Sequence, residues 1–68
     1  MYEIYFEKNG LKRKIGKSNT KEETRKVISD FLKEREYKSY YWNISKIDPK
    51  TERIDVGSWS EFFYVYEN

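Results

Sequence analysis

Residues 20–36 read TKEETRKVISDFLKERE, the one helical pattern in a chain whose other segments alternate. Thr20 suits the N-cap, where its hydroxyl accepts a bond from an orphan N–H of the first turn. Glu23, three residues on, reaches back to the Thr20 N–H and completes a capping box. Glu22 and Glu23 sit at the positive end of the helix dipole, and Lys33, Arg35 and Lys38 near the negative end. Val27, Ile28, Phe31 and Leu32 make one narrow apolar face, extended by Thr24 and Arg35. Glu22–Lys26 and Glu34–Lys38 are spaced i, i+4 in the favourable order. Four large apolar residues cannot hold so short a helix alone in water, so the stripe needs a sheet to cover it. No Gly marks the C-terminus, which is expected between Arg35 and Lys38.

Upstream, residues 2–8 alternate as a strand and Asn9-Gly10 supplies a type I′ turn. Residues 11–17 return as a second strand. A two-residue loop pairs Lys8 with Leu11, Glu7 with Lys12, Phe6 with Arg13, Tyr5 with Lys14 and Ile4 with Ile15. Tyr2, Ile4, Phe6, Leu11 and Ile15 then share the face that seats the helix, with Arg13 intruding near the tip so that its stem lies over the core edge. Glu3, Tyr5, Glu7, Lys12 and Lys14 take the other face, and the opposite charges of Glu7 and Lys12 support the register.

Ser18-Asn19 links into the helix. Downstream, Ser39 leads into a third strand over 40–47, and Asp48-Pro49-Lys50-Thr51 is a turn. Residues 52–56 form a fourth strand, residues 57–58 break the pattern, and 59–61 bend. Residues 62–66 form a last strand, with Phe62, Tyr64 and Tyr66 facing one way and Phe63 and Val65 the other. An odd-length loop after the third strand puts Trp42, Ile44, Ile54 and Val56 on one face; an even one groups Ile47 with Ile54 and Val56. The first is preferred. The predicted fold is α+β with two layers: an antiparallel sheet of four to five strands with one helix packed on one face, in ββαβββ order. The uncovered face is expected to carry Tyr5, Tyr41 and several charges.

Sixty-eight residues make a single domain with a thin core. There is no Cys and no His, so disulfides, Cys-based metal sites and the commonest catalytic base are absent. Net charge is +2, too weak to imply nucleic acid by itself. No apolar run approaches ~18 residues and no signal-peptide pattern opens the chain, so no membrane partner and an intracellular location are expected.

The charge is unevenly spread. Residues 1–21 hold Lys8, Lys12, Arg13, Lys14, Lys17 and Lys21 against Glu3 and Glu7, a net of +4, whereas residues 48–68 sum to −3. Lys12, Arg13, Lys14 and Lys17 are therefore candidate nucleic-acid contacts. The plainer reading is that these cations keep an exposed hairpin from pairing with other chains. Aromatic residues are 19% of the chain, more than one helix face can cover. Tyr41, Trp59 and Tyr64 are candidate protein contacts, since exposed rings bring large area at low entropy cost. The plainer reading is that these rings fill gaps in a small core. Asp48, Glu52, Asp55 and Glu61 lack the spacing of a metal loop, and Asp48 and Glu52 read as turn caps. Ser18, Ser58 and Ser60 have no His to activate them, and no Gly-rich phosphate loop exists. No catalytic residue, metal or cofactor is expected, and the chain does not read as an enzyme.

Residues 2–35, YEIYFEKNGLKRKIGKSNTKEETRKVISDFLKER, resemble the hairpin and "TKEE" helix of arm-type DNA-binding domains of phage and transposon integrases. There the sheet before the helix lies in the major groove, which implies DNA binding through the basic hairpin. The whole chain, especially residues 40–68 with Asp55–Phe63 (DVGSWSEFF) above all, is similar to small uncharacterised single-domain proteins encoded by phages and mobile elements of AT-rich Gram-positive bacteria. That resemblance implies a non-enzymatic inhibitor of a host protein or nucleoprotein complex in the bacterial cytoplasm, anti-CRISPR proteins being one form. A protein-binding inhibitor is the leading expectation. A nucleic-acid-binding domain is the alternative, and a nucleotide-sequestering protein the third. The sequence leaves the oligomeric state open.

Overall fold

The computed structural model describes residues 1–37 and 40–68. Its elements are β1 (Tyr2–Lys8), β2 (Leu11–Ser18), α1 (Lys21–Glu34), β3 (Asn43–Asp48), β4 (Thr51–Asp55) and β5 (Glu61–Glu67). The five strands form one antiparallel sheet in the order β2-β1-β5-β4-β3. This is the expected α+β arrangement in ββαβββ order, with α1 on one face.

Local chemistry sets most of the boundaries. Asn9 and Gly10 both have positive φ, 52° and 84°, as a type I′ turn demands. Thr20 caps α1: its hydroxyl accepts the Glu23 N–H at 3.1 Å while Glu23 Oε1 accepts the Thr20 N–H at 3.1 Å. At the other end Arg35 is the C-cap and Glu36 takes φ 61°, the left-handed position usually left to Gly. The Glu36 and Tyr37 N–H groups then donate to Lys33 and Leu32, which closes a Schellman turn without a glycine. The ion pair along the helix is Lys26–Asp30 at 3.5 Å, rather than the expected Glu22–Lys26. The expected Glu34–Lys38 pair, the place of Lys38 at the helix end and that of Ser39 before β3 lie outside the described residues.

The first hairpin keeps the expected register from Lys8↔Leu11 to Tyr5↔Lys14 and then shifts, so that Ile4 pairs with Gly16 rather than Ile15. The cause is a bulge at Ile15-Gly16. Gly16 faces α1 there, and a Cβ on it would lie 3.3 Å from Val27 Cγ1, so a glycine lets the helix settle close. Ser18 and Thr24 share a short buried hydrogen bond at the same end. Leu11 reaches past the helix and is 79% exposed, so it adds nothing to the core.

The core is Ile4, Phe6, Ile28, Leu32, Ile54, Val56, Phe63 and Val65, each at most 4% exposed. Burying one such side chain contributes about 1.5–3 kcal/mol. Phe6, Phe31 and Phe63 form a ring cluster with centroids 4.8–5.7 Å apart. β3 begins at Asn43, not Tyr40. Tyr40 and Trp42 instead pack on the core with Tyr37, edge to face at 6.5 and 6.4 Å. Their ring area covers apolar surface that one helix leaves bare, and that outweighs their strand propensity. Ile44 pairs with Ile54, the preferred grouping. The loop is the two residues Pro49-Lys50, and a bulge at Ile47, rather than an odd-length loop, produces that grouping. Among the described residues no helix is long and apolar enough to cross a membrane.

Candidate binding surface

The sheet face away from α1 is assembled by register. Lys12, Glu7, Phe62, Asp55 and Asn43 form one row across the strands. Lys14, Tyr5, Tyr64, Arg53 and Ser45 form the next. Lys17, Glu3, Tyr66 and Thr51 form the third. The β2 bulge matters here, because strict alternation would have put Lys17 on the helix side with Arg13. Of the candidate cations Lys12, Lys14 and Lys17 therefore share the open face, while Arg13 does not. Arg13 lies on the other side, with its guanidinium 6.0 and 5.8 Å from the Phe6 and Phe31 rings.

On the open face Lys12 and Lys14 are engaged. Lys12 Nζ lies 3.9 Å over the Tyr64 ring and donates to Tyr66 Oη at 2.9 Å. That hydrogen bond is the main reason the Lys12 pKa is raised above the ordinary lysine value. The Tyr64 and Tyr66 rings stack at 6.4 Å, and Tyr5 meets Tyr66 edge-on at 5.3 Å. Tyr64 Oη donates to Glu7 at 3.4 Å. Lys14 pairs with Glu3 at 3.7 Å, and Asn68 Nδ2 donates to Glu3 at 3.0 Å. The Asn68 bond first, and Lys14 second, hold the Glu3 carboxyl below its ordinary value. Arg53 lays its guanidinium 4.0 Å over Phe62, with its Nε buried and without a hydrogen-bond partner. Lys12, Lys14, Lys17 and Arg53 share this face with Glu3, Glu7 and Asp55, which leaves it near charge balance.

The candidate protein contacts divide differently. Tyr64 is half-buried beneath Lys12. Trp59 is 100% exposed and Tyr41 55% exposed. The two line one open depression with Asp55, Gly57, Ser58 and Phe62, at the end of the sheet where β5 begins. Tyr41 was expected in β3 on the open face; it lies before that strand, with its ring against Gly57. A Cβ on Gly57 would come within 3.1 Å of Tyr41 Cε2, and Gly57 has φ 94°, so both space and backbone favour glycine there. The Gly57 N–H donates to Asp55 Oδ1 at 2.8 Å, which fixes the bend that carries Ser58 and Trp59 outward.

The carboxylates are dispersed. Asp48 accepts the Lys50 N–H at 2.9 Å, the expected turn cap, whereas Glu52 lies 4.0 Å from Lys21 instead of capping. Glu61 is 9% exposed and takes a bond from Arg35 at 3.1 Å, with Lys8 at 3.7 Å. Among the described residues no three carboxylates gather to hold a metal ion.

Sequence reasoning missed the Lys12–Tyr64–Tyr66 clamp and the Arg35–Glu61 pair. The alternation of Phe62, Tyr64 and Tyr66 was visible, but both contacts depend on β5 lying beside β1, which no local signal encodes. The arrangement can present flat aromatic area and oriented hydroxyls to a partner. No protein-family model matches the chain, no curated protein matches it in sequence, and no solved structure matches it.

Proposed function

We propose that this chain is a non-enzymatic binding module that blocks a protein by surface contact, anchored at the corner of Tyr41 and Trp59. The observation that carries the reading is the full exposure of the Trp59 side chain. An indole of roughly 200 Å² brings about 5 kcal/mol of gross apolar gain when covered. The Gly57 bend turns the chain outward next to Tyr41, and ordering the free indole on binding costs about 0.5–1.5 kcal/mol of that gain. Tyr64 is a supporting residue of the neighbouring face, since its ring already lies beneath Lys12.

The resemblance of the chain, residues 40–68 especially, to small phage and mobile-element proteins supports a host protein or nucleoprotein complex as partner, in the cytoplasm of a bacterial host, with inhibition of CRISPR defence as one concrete form. The test is capture from host lysate with the wild-type chain, Trp59→Ala and a Lys12→Glu/Lys14→Glu variant, each first shown to be folded. A protein retained by the wild type and by the charge variant but lost with Trp59→Ala is the expected result. Equal retention by Trp59→Ala overturns the reading.

One observation favours nucleic acid as a second reading: the bulge brings Lys17 onto the face of Lys12 and Lys14, beside Tyr5 and Tyr66. Interleaved Glu3 and Glu7 weigh against it, because phosphate contacts need net positive charge. Fluorescence anisotropy with duplex and single-stranded DNA separates the two. Micromolar binding that survives physiological salt and is lost in the Lys12→Glu/Lys14→Glu variant would promote this reading over the first.

A further inference from the structure

β3 is the outer strand on the side away from β2, and all six of its residues are exposed. Its free edge pairs with no strand among the described residues. An outer strand presents a row of unpaired N–H and C=O groups, which proteins usually guard. β2, the other outer strand, carries Lys12, Arg13, Lys14 and Lys17 and a bulge. β3 carries Lys46 as its one cation and Asp48, whose Oδ1 accepts the Lys50 N–H, at its end, beside Ile44 at 38% and Ile47 at 56% exposure, with a register shift near that end.

A groove runs under β3 on the helix side. Its floor is Ile44, Ile54 and Val65. Its rim has Lys21 and Arg25 from α1 and Lys46 and Lys50 from the β3–β4 hairpin. The carboxylates on that rim are Glu52 and Glu67, and Glu52 already lies 4.0 Å from Lys21. Arg25, Lys46 and Lys50 have no ion-pair partner among the described residues.

On its inner edge β3 shows what it takes. Lys46 pairs with Glu52 and Ile44 with Ile54, so β4 presents an acidic residue, any residue, then an aliphatic one. Ile44 and Lys46 line the groove, and both are exposed. We infer that the free edge of β3 accepts an extended acidic segment of a partner protein, added antiparallel, in which an acidic residue stands two places before an aliphatic one. Main-chain bonds hold the added strand, and alternate side chains select it. The acidic residue meets Lys46 and the cationic rim; the aliphatic one covers Ile44. A second copy is a poor occupant, because β3 has no acidic residue two places before an aliphatic one. This surface lies apart from the Trp59 corner, and its failure would leave that reading intact.

The test is an amide NMR titration of the whole chain with an end-blocked threonine peptide bearing Glu and, two residues later, Ile. The expected result is saturable shifts over Asn43–Asp48, Lys21 and Arg25, at least about threefold weaker when the peptide's Glu becomes Lys. Lys46→Glu is exposed and leaves the fold intact, and it reverses the preference between the two peptides. No shift at millimolar peptide, shifts confined to the Lys12–Tyr64 face, or equal response to both peptides overturns the inference. So do β3 shifts that grow with protein concentration alone, which would assign the edge to a second copy.

Discussion

Phe63 and Tyr64 are neighbours in β5 and serve opposite faces of one sheet. Phe63 is fully buried against Phe6 and Phe31. Tyr64 is half-buried, stacked on Tyr66 and roofed by the Lys12 ammonium. The covered face gains by removing apolar area from water. The open face has no second layer, so long cationic side chains from β2 and β4 lie over its rings instead. The scale of the two gains differs: several kcal/mol for a fully buried ring, against about 0.5–1 kcal/mol for an exposed cation over one. Aromatic content alone therefore says little about where a ring contributes stability.

Substitutions in β5 sharpen the contrast. Phe63→Ala should cost about 3–5 kcal/mol in denaturant unfolding, enough to threaten a domain of this size. A cost under about 1 kcal/mol would break the distinction between the faces. Tyr64→Ala should cost about 1 kcal/mol, and combining it with Lys12→Ala should cost less than the sum of the two, because they share one contact. Tyr66→Phe removes the acceptor that raises the Lys12 pKa. In the wild type that stabilisation is complete below the unfolded lysine pKa and fades as pH rises through the higher folded value. The variant's Lys12 should titrate nearer the ordinary lysine value, by NMR of its side-chain carbons, and the protein should lose less stability in that alkaline window. Trp59→Ala should leave stability within about 0.5 kcal/mol of wild type while abolishing capture of the partner, which separates binding area from folding area.

What was legible in the sequence follows the range of each rule. Asn9-Gly10, the Thr20–Glu23 box and the alternation of residues 62–66 are governed by residues within a few positions of each other, and all appear as read. Gly16 carried a signal in plain view, since an isolated glycine in a strand marks a bulge or a close approach. Taken as ordinary alternation, it misplaced Ile15 opposite Ile4. Tyr40 and Trp42 have every local mark of a strand, but the core needed their area more than the sheet needed their backbone. The open-face network was out of reach for a different reason. It joins Lys12 to Tyr66, and only the strand order brings them together.

That order has a mechanical consequence. β1 and β5, the two ends of the described chain, are zipped along their length in the sheet interior, from Tyr2↔Glu67 to Lys8↔Glu61. The β1–β2–α1 unit and the β3–β4–β5 meander each form through near-neighbour contacts, but the seam between them closes a loop of most of the chain. Loop closure of that kind is slow, so the seam should be the last part to zip. It is also where the molecule comes apart most simply. A chain divided between α1 and β3 yields two pieces, each holding one side of an antiparallel ladder, the first with Phe6 and Phe31 of the phenylalanine cluster and the second with Phe63. Such pieces should find each other again in solution, making this fold a natural two-part reporter whose reassembly reads the strength of a single strand pairing.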